Sequence, residues 1–123
     1  MNGTSDATSV LSDALSRWKA AVDAHEPERV AAVLTEDAIF QGTHPYSVGP
    51  KGVAEYYASQ PLGLKAAFRI LETRHLADDL VLGYVEVEFT YVDRDPLPVH
   101  LGVMLKREPE EWRICYYQVS LST

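Results

Sequence analysis

Few side chains in this chain can move a proton near neutral pH, and their positions limit what each can do. His44 stands beside Pro45 in a loop rich in Gly and Pro, residues 42–49. An imidazole there can act as a general base; the plainer reading is a loop histidine held by local hydrogen bonds. His100 falls in a strand-like stretch, so its role depends on which face it takes. The plainer reading is a structural histidine. Glu86 and Glu88 are two residues apart, which puts both carboxylates on one face of a strand about 7 Å from each other. That is a workable acid/base spacing, yet they alternate with the apolar Val85, Val87 and Phe89. They therefore read as a solvated face or an interface rim. Asp37 reads as a capping or loop-fixing residue. Cys115 is the only cysteine, so no internal disulfide forms. With no basic neighbour in sequence to lower its pKa, it reads as an inert thiol. No spacing suits a metal site and no glycine pattern cradles a phosphate, so no cofactor is expected.

The chain has 123 residues, with 18 Asp and Glu against 11 Lys and Arg, a formal charge of −7. This length suits one domain over residues 1–123, with residues 1–5 expected to be disordered. The acidic balance argues against nucleic acid and anionic membranes, which need clustered Lys and Arg. No apolar run approaches the roughly 20 residues of a membrane span. The first residues, Met1 to Asp6, lack the basic and apolar regions of a signal peptide, so a cytoplasmic protein is expected. The aromatic content is more informative: two Trp, seven Tyr and three Phe. Tyrosine combines an apolar body with a polar tip and suits pockets and interfaces.

These residues need elements to position them. Val10, Leu11, Ala14, Leu15, Trp18, Ala21, Val22 and His25 recur at three- and four-residue steps, predicting an amphipathic helix of about 20 residues from Ser5 or Asp6. Pro27 suits the start of a short second helix, ended by Thr35-Glu36-Asp37, and Pro50 the start of a third. Ala38 to Gln41 reads as a short extended segment. From Ala66 onward the period falls to two. Strands are predicted over residues 66–76, 80–92, 98–107 and 112–121, with turn residues between them. Helices followed by a strand meander give an α+β fold, the helices packed on one face of a curved antiparallel sheet.

The strand faces carry further expectations. Val85, Val87, Phe89 and Tyr91 suit the helix side, and Tyr84, Glu86, Glu88 and Thr90 the wetter side. The last strand reads as apolar on both faces. Trp112, Ile114 and Tyr116 lie on one, and Cys115, Tyr117, Val119 and Leu121 on the other. Leaving either face in water forgoes burial energy, so a homodimer is expected through the outer sheet face, at Tyr84, Trp112 and Tyr116. A four-residue loop pairs Arg107 with Trp112 and groups His100 with Cys115, Tyr117 and Val119. A five-residue loop pairs Lys106 with Trp112 and exchanges the faces.

The helical stretch Trp18 to His25, the run Glu28 to Phe40, the segment Gly49 to Tyr57 and the closing Trp112-Arg113-Ile114 together resemble the nuclear transport factor 2-like superfamily, in its SnoaL-like branch. Within that branch, Gln41 to Tyr46, Leu97 to Val103 and Tyr116 to Ser120 are similar to SgcJ-type proteins of enediyne antibiotic clusters. The resemblance covers about residues 10–121. It implies a cone, with a curved sheet wrapped round a long N-terminal helix plus two shorter helices. It also implies an apolar pocket at the open end and dimerisation through the outer sheet face. Isomerase-like members carry a carboxylate base, a helix tyrosine and a strand carboxylic acid. The matching places here are Gly42, Trp18 and Gly102, so that chemistry has no groups to work with. The isomerase comparison also favours the four-residue loop, with His100 inward.

The expected ligand contacts are Trp18, Phe40, Tyr57, Phe89, Tyr91, His100 and Tyr117, and the ligand a hydrophobic, polyketide-derived molecule. Two rivals stand beside this reading. One is a dehydratase or hydrolase using His44 or His100. The other is a non-catalytic dimerisation module.

Overall fold

The computed structural model describes residues 6–109 and 111–121; the expectation for residues 1–5 lies outside them. The chain runs α1 (Ala7–Asp23), α2 (Pro27–Ala31), β1 (Leu34–Gln41), β2 (Ser47–Val48), α3 (Pro50–Ala58), β3 (Lys65–Ala77), β4 (Leu80–Thr90), β5 (Leu97–Arg107) and β6 (Trp112–Leu121). The strands form one six-stranded sheet in the order β2-β1-β6-β5-β4-β3. All neighbours are antiparallel except β1 and β6, which run parallel. The expected antiparallel sheet therefore carries one parallel seam, where the chain returns after the whole meander to close beside its first strand.

The periodicity of α1 has its anticipated effect. Val10, Leu11, Ala14, Leu15, Trp18, Ala21 and Val22 are buried along one side, and the sheet curves round them. Both shorter helices begin on proline. Gly49, just before α3, has φ 91°, a conformation open to glycine and strained for most other residues. It lets the chain turn from β2 into α3 while its N–H donates to the Ala38 carbonyl at 2.9 Å. The first strand starts at Leu34, earlier than expected. Leu34 and Thr35 are buried and Leu34 pairs with Ile114, so tertiary pairing overrides the polar run that reads as a helix end.

The last hairpin decides the faces. Arg107 pairs with Trp112, Lys106 with Arg113 and Leu105 with Ile114, as a four-residue loop requires. Then the register shifts: Met104 pairs with Tyr116 and Val103 with Tyr117. Cys115 is the extra residue of a β-bulge, and a bulge exchanges the two faces of everything beyond it. The inward residues of β5 are Val99, Leu101, Val103 and Leu105, all fully buried. On β6 their partners, Ile114 before the bulge and Tyr117 after it, are buried too. Each such burial is worth about 1.5–3 kcal/mol.

The apparent two-faced apolarity of this strand is thus one inward face read across a bulge. Two expectations change as a result. Trp112 packs against the core rather than on the outer face, and its carbonyl accepts a hydrogen bond from Arg17 Nη2 at 2.8 Å. His100 pairs across from Ser120 and Glu86 and so points outward, not into the cone.

A second shift, between Ile70 and Glu72 of β3, does similar work. Ile70 lies opposite the buried Val85, whereas Glu72 lies opposite the exposed Tyr84. Thr73 then faces the helix, and its Oγ1 is 3.0 Å from Thr8 Oγ1.

Candidate functional site

Inside the cone, five elements deliver aromatic rings to one place: Trp18 from α1, Phe40 from β1, Tyr56 and Tyr57 from α3, Phe89 from β4 and Tyr117 from β6. Phe40 stacks on Tyr117 with centroids 4.7 Å apart. Trp18 meets Phe89 edge-on at 6.1 Å and Tyr117 at 6.0 Å. These are the separations at which aromatic pairs add to simple burial. Trp18 and Tyr117 are at most 1% exposed. Their polar tips are tied together: Trp18 Nε1 donates to Tyr57 Oη at 3.2 Å, and Tyr57 Oη lies 3.2 Å from Tyr117 Oη. Burial pushes both phenols well above the ordinary tyrosine value, because a phenolate has no solvent there. Both are therefore protonated donors at neutral pH.

Outside this cluster lies an open cavity of about 870 Å³ at the mouth of the cone, lined by His44, Pro61, Tyr91, Arg94 and Leu97 among others. Arg94 sits over the Tyr91 ring at 4.8 Å from its centroid, a cation–π contact at the rim. Partial burial raises the Tyr91 phenol above its usual value.

The Tyr56 ring touches both His44 of the cavity lining and the buried rings, and itself lines a smaller hollow with Phe40, His44 and Ser47. Tyr56 contacts His44 at 5.3 Å on one side, and Tyr57 at 5.0 Å and Phe40 at 5.1 Å on the other. It can lie there because residue 42 is glycine: a Cβ on Gly42 would come within 2.5 Å of the Tyr56 ring. The space beside residue 42 is thus filled by an aromatic ring. The Tyr56 hydroxyl accepts from the Thr43 N–H at 3.2 Å and lies 3.2 Å from Thr43 Oγ1.

Of the residues singled out from sequence, Trp18, Phe40, Tyr57, Phe89 and Tyr117 come together in the buried cluster. Tyr91 and His44 line the mouth cavity. His100 joins neither; its ring lies flat against Tyr84 on the outer face, at 5.4 Å and 6°. Gly102 is outward as well, opposite Tyr84 and Gln118. The inward neighbours on that strand, Leu101 and Val103, carry no titratable group. Glu86 is outward and accepts from Arg69 Nη2 at 2.9 Å; Glu88 is outward and exposed. Asp37 Oδ1 accepts from Thr35 Oγ1 at 3.0 Å, a local fixing role. Cys115 is occupied in the bulge, and partial burial raises its thiol. Among the described residues no cluster of His, Cys, Asp and Glu could hold a metal ion. Sequence reasoning passed over Tyr56 and Arg94. Tyr56 follows from the Tyr56-Tyr57 pair on α3, since adjacent helical residues diverge and reach two different layers.

No protein-family model matches the chain, and no curated protein matches it either. Solved structures do. A domain of unknown function with a cystatin-like fold from Nostoc punctiforme superposes with a TM-score of 0.83 at 16% identity, over 98% of this chain and 80% of that one. A ketosteroid isomerase-like protein from Erwinia carotovora atroseptica gives 0.75 at 22% identity, over 94% and 95%. A type 2 hexachlorocyclohexane dehydrochlorinase gives 0.78 at 16%, over 94% and 85%. At these identities the likeness speaks for architecture alone: the chain has the cystatin-like, nuclear transport factor 2-like cone fold.

Proposed function

We propose that the protein is a small container of secondary metabolism, in the cytoplasm, similar in role to SgcJ-type proteins. It takes a flat hydrophobic molecule, an enediyne-type polyketide intermediate, through the mouth of the cone. The observation that carries this reading is the mouth cavity, whose His44 touches the Tyr56 ring, which in turn touches the buried rings of Tyr57 and Phe40. Flat aromatic walls suit a flat or polyunsaturated guest. The inward face of β5 offers no acid or base, and holding the guest's reactive ends in a fixed geometry can act on its reactivity without one. The dehydrochlorinase and isomerase-like neighbours support a small-molecule pocket in this architecture. The test is titration with fluorene, a flat polycyclic hydrocarbon, followed by the melting temperature. Binding to the native state stabilises it by about 2.7 kcal/mol at one hundred times Kd. An unmoved melting temperature at saturation of the aqueous phase contradicts the reading. A second reading, a pocket enzyme with His44 as base, draws support from the place of His44 in the cavity lining; turnover abolished in His44→Ala would carry it.

The same reading includes a homodimer through the outer face, corrected for the bulge. Register partners line up an outward apolar row across five strands: Val48, Ile39, Tyr116, Met104 and Leu82. Tyr84 stands beside it. Ile39, Val48 and Tyr84 are 45%, 59% and 46% exposed, an apolar patch of the kind that marks an interface. Sedimentation equilibrium is expected to give twice the 13.7 kDa chain mass, and a single-chain mass at micromolar concentration contradicts it.

A further inference from the structure

The mouth cavity is not apolar throughout. Pro61, Pro96 and Leu97 give it apolar walls, and Arg94 brings a permanent positive charge to the lining. Arg94 is held from two sides. Its guanidinium carbon lies 4.8 Å from the centre of the Tyr91 ring, and its Nε donates to Asp93 Oδ1 at 3.2 Å. The stacking and the ion pair restrict a side chain that otherwise has many rotamers. Both Nη groups are left without an acceptor among the described residues. They form a forked edge of the guanidinium, of the kind that pairs with both oxygens of a carboxylate. The loop that carries Arg94 is braced as well. A Cβ on Gly63, whose φ is 90°, would come within 2.4 Å of Val92 Cγ2, so the loops after α3 and after β4 close on each other. Asp95 also lines the cavity. It lowers the local potential but leaves the fork open, because Arg94 pairs with Asp93 instead.

We propose that Arg94 anchors a carboxylate of the guest at the rim, while the guest's flat apolar body lies in the mouth of the cone. The inference rests on the container reading and adds the charge that the guest carries. Pro61, Pro96 and Leu97 cover the part of the body next to the acid group. The fork supplies charge-assisted hydrogen bonds, which are shorter and stronger than neutral ones. The Arg94 side chain is 56% exposed, so water and salt screen the pair and keep its contribution at the low end of the range for such bonds. With a net charge of −7 the protein repels anions at long range. The preference for an acid is therefore carried by contact at Arg94 and not by steering.

The test compares fluorene-2-carboxylate with its methyl ester, which has the same flat frame and no charge, at neutral pH and low salt. The wild-type protein is expected to bind both. Arg94→Gln is expected to weaken binding of the acid about tenfold, the low end for hydrogen bonds to a charged group, and to leave binding of the ester unchanged. In the wild-type protein the Arg94 guanidinium N–H resonances are expected to shift when the acid is added and to stay in place with the ester. That signal is read without any variant, so the result stands even if Arg94→Gln does not fold. Acid binding that is unchanged in Arg94→Gln, an equal loss of acid and ester, or an unmoved Arg94 signal at saturation with the acid overturns the anchor and leaves the container intact. So does binding of the ester alone. Binding of neither compound overturns both.

Discussion

Trp18→Ala is expected to remove about 3–5 kcal/mol of folding stability, the range for truncating a large buried aromatic. Trp18 is fully buried. It lies between Phe89 and Tyr117 and donates the hydrogen bond that fixes Tyr57. Truncation leaves a cavity at the centre of the cone, bordered by elements from both ends of the chain, and the sheet cannot collapse onto it without breaking its own register. A small domain is stable by only about 5–15 kcal/mol, so the variant loses a large share of its stability. Trp18→Phe separates two contributions. It keeps most of the volume and loses the N–H, and the lost hydrogen bond accounts for about 1 kcal/mol of its cost. Urea denaturation of the three proteins measures both. A loss below about 1 kcal/mol for Trp18→Ala would mean that the aromatic cluster is not the core.

The second large effect is on the alkaline side. Tyr57 and Tyr117 are buried, and desolvation raises both phenols in the folded state. An unfolded tyrosine titrates near pH 10. The folded state therefore holds these two protons more tightly than the unfolded one. Their stabilisation is fully present below about pH 10 and is lost as the pH rises from there toward the folded values. Each group takes away about 1.4 kcal/mol per pH unit in that window, and the two together about 2.7. Between pH 10 and 12 the two groups together remove about 5 kcal/mol, so stability is expected to fall steeply above pH 10, with Tyr57 and Tyr117 ionising only as the protein unfolds. Tyr57→Phe/Tyr117→Phe should flatten the slope across that window. Phenolate absorbance recorded alongside circular dichroism checks this. Full ionisation of all seven tyrosines with the fold intact would contradict it.

The helices were legible because α1 repeats its apolar residues cleanly and two prolines mark the other starts. The strands were legible from their alternation, and the fold class followed. The face of His100 was not legible. Alternation along β6 is broken at Cys115, and a bulge residue of that chemistry has no signature of its own: cysteine fits either face. The apolar count on each side of the break suggested two apolar faces, and Trp112 was assigned outward with Tyr116 although the bulge puts them on opposite sides. Recognising one inward run, Trp112 and Ile114 continued by Tyr117, Val119 and Leu121, would have required knowing where β5 points. That is a tertiary fact. The aromatic cluster was legible as a set, because its members sit on the inward phase of their own elements. The placement of Tyr56 was not, since it depends on the missing Cβ at Gly42, fourteen residues away in sequence.

The claim that a guest enters the cone, rather than resting on the outer face, is tested most directly by the two indole N–H resonances during a fluorene titration. Trp18 lies in the buried cluster, whereas Trp112 packs near Val10 and Asp13 of α1. The Trp18 signal is expected to move progressively to saturation while that of Trp112 stays in place. A Trp18 signal that stays fixed while fluorene saturates the protein would contradict a guest in the cone.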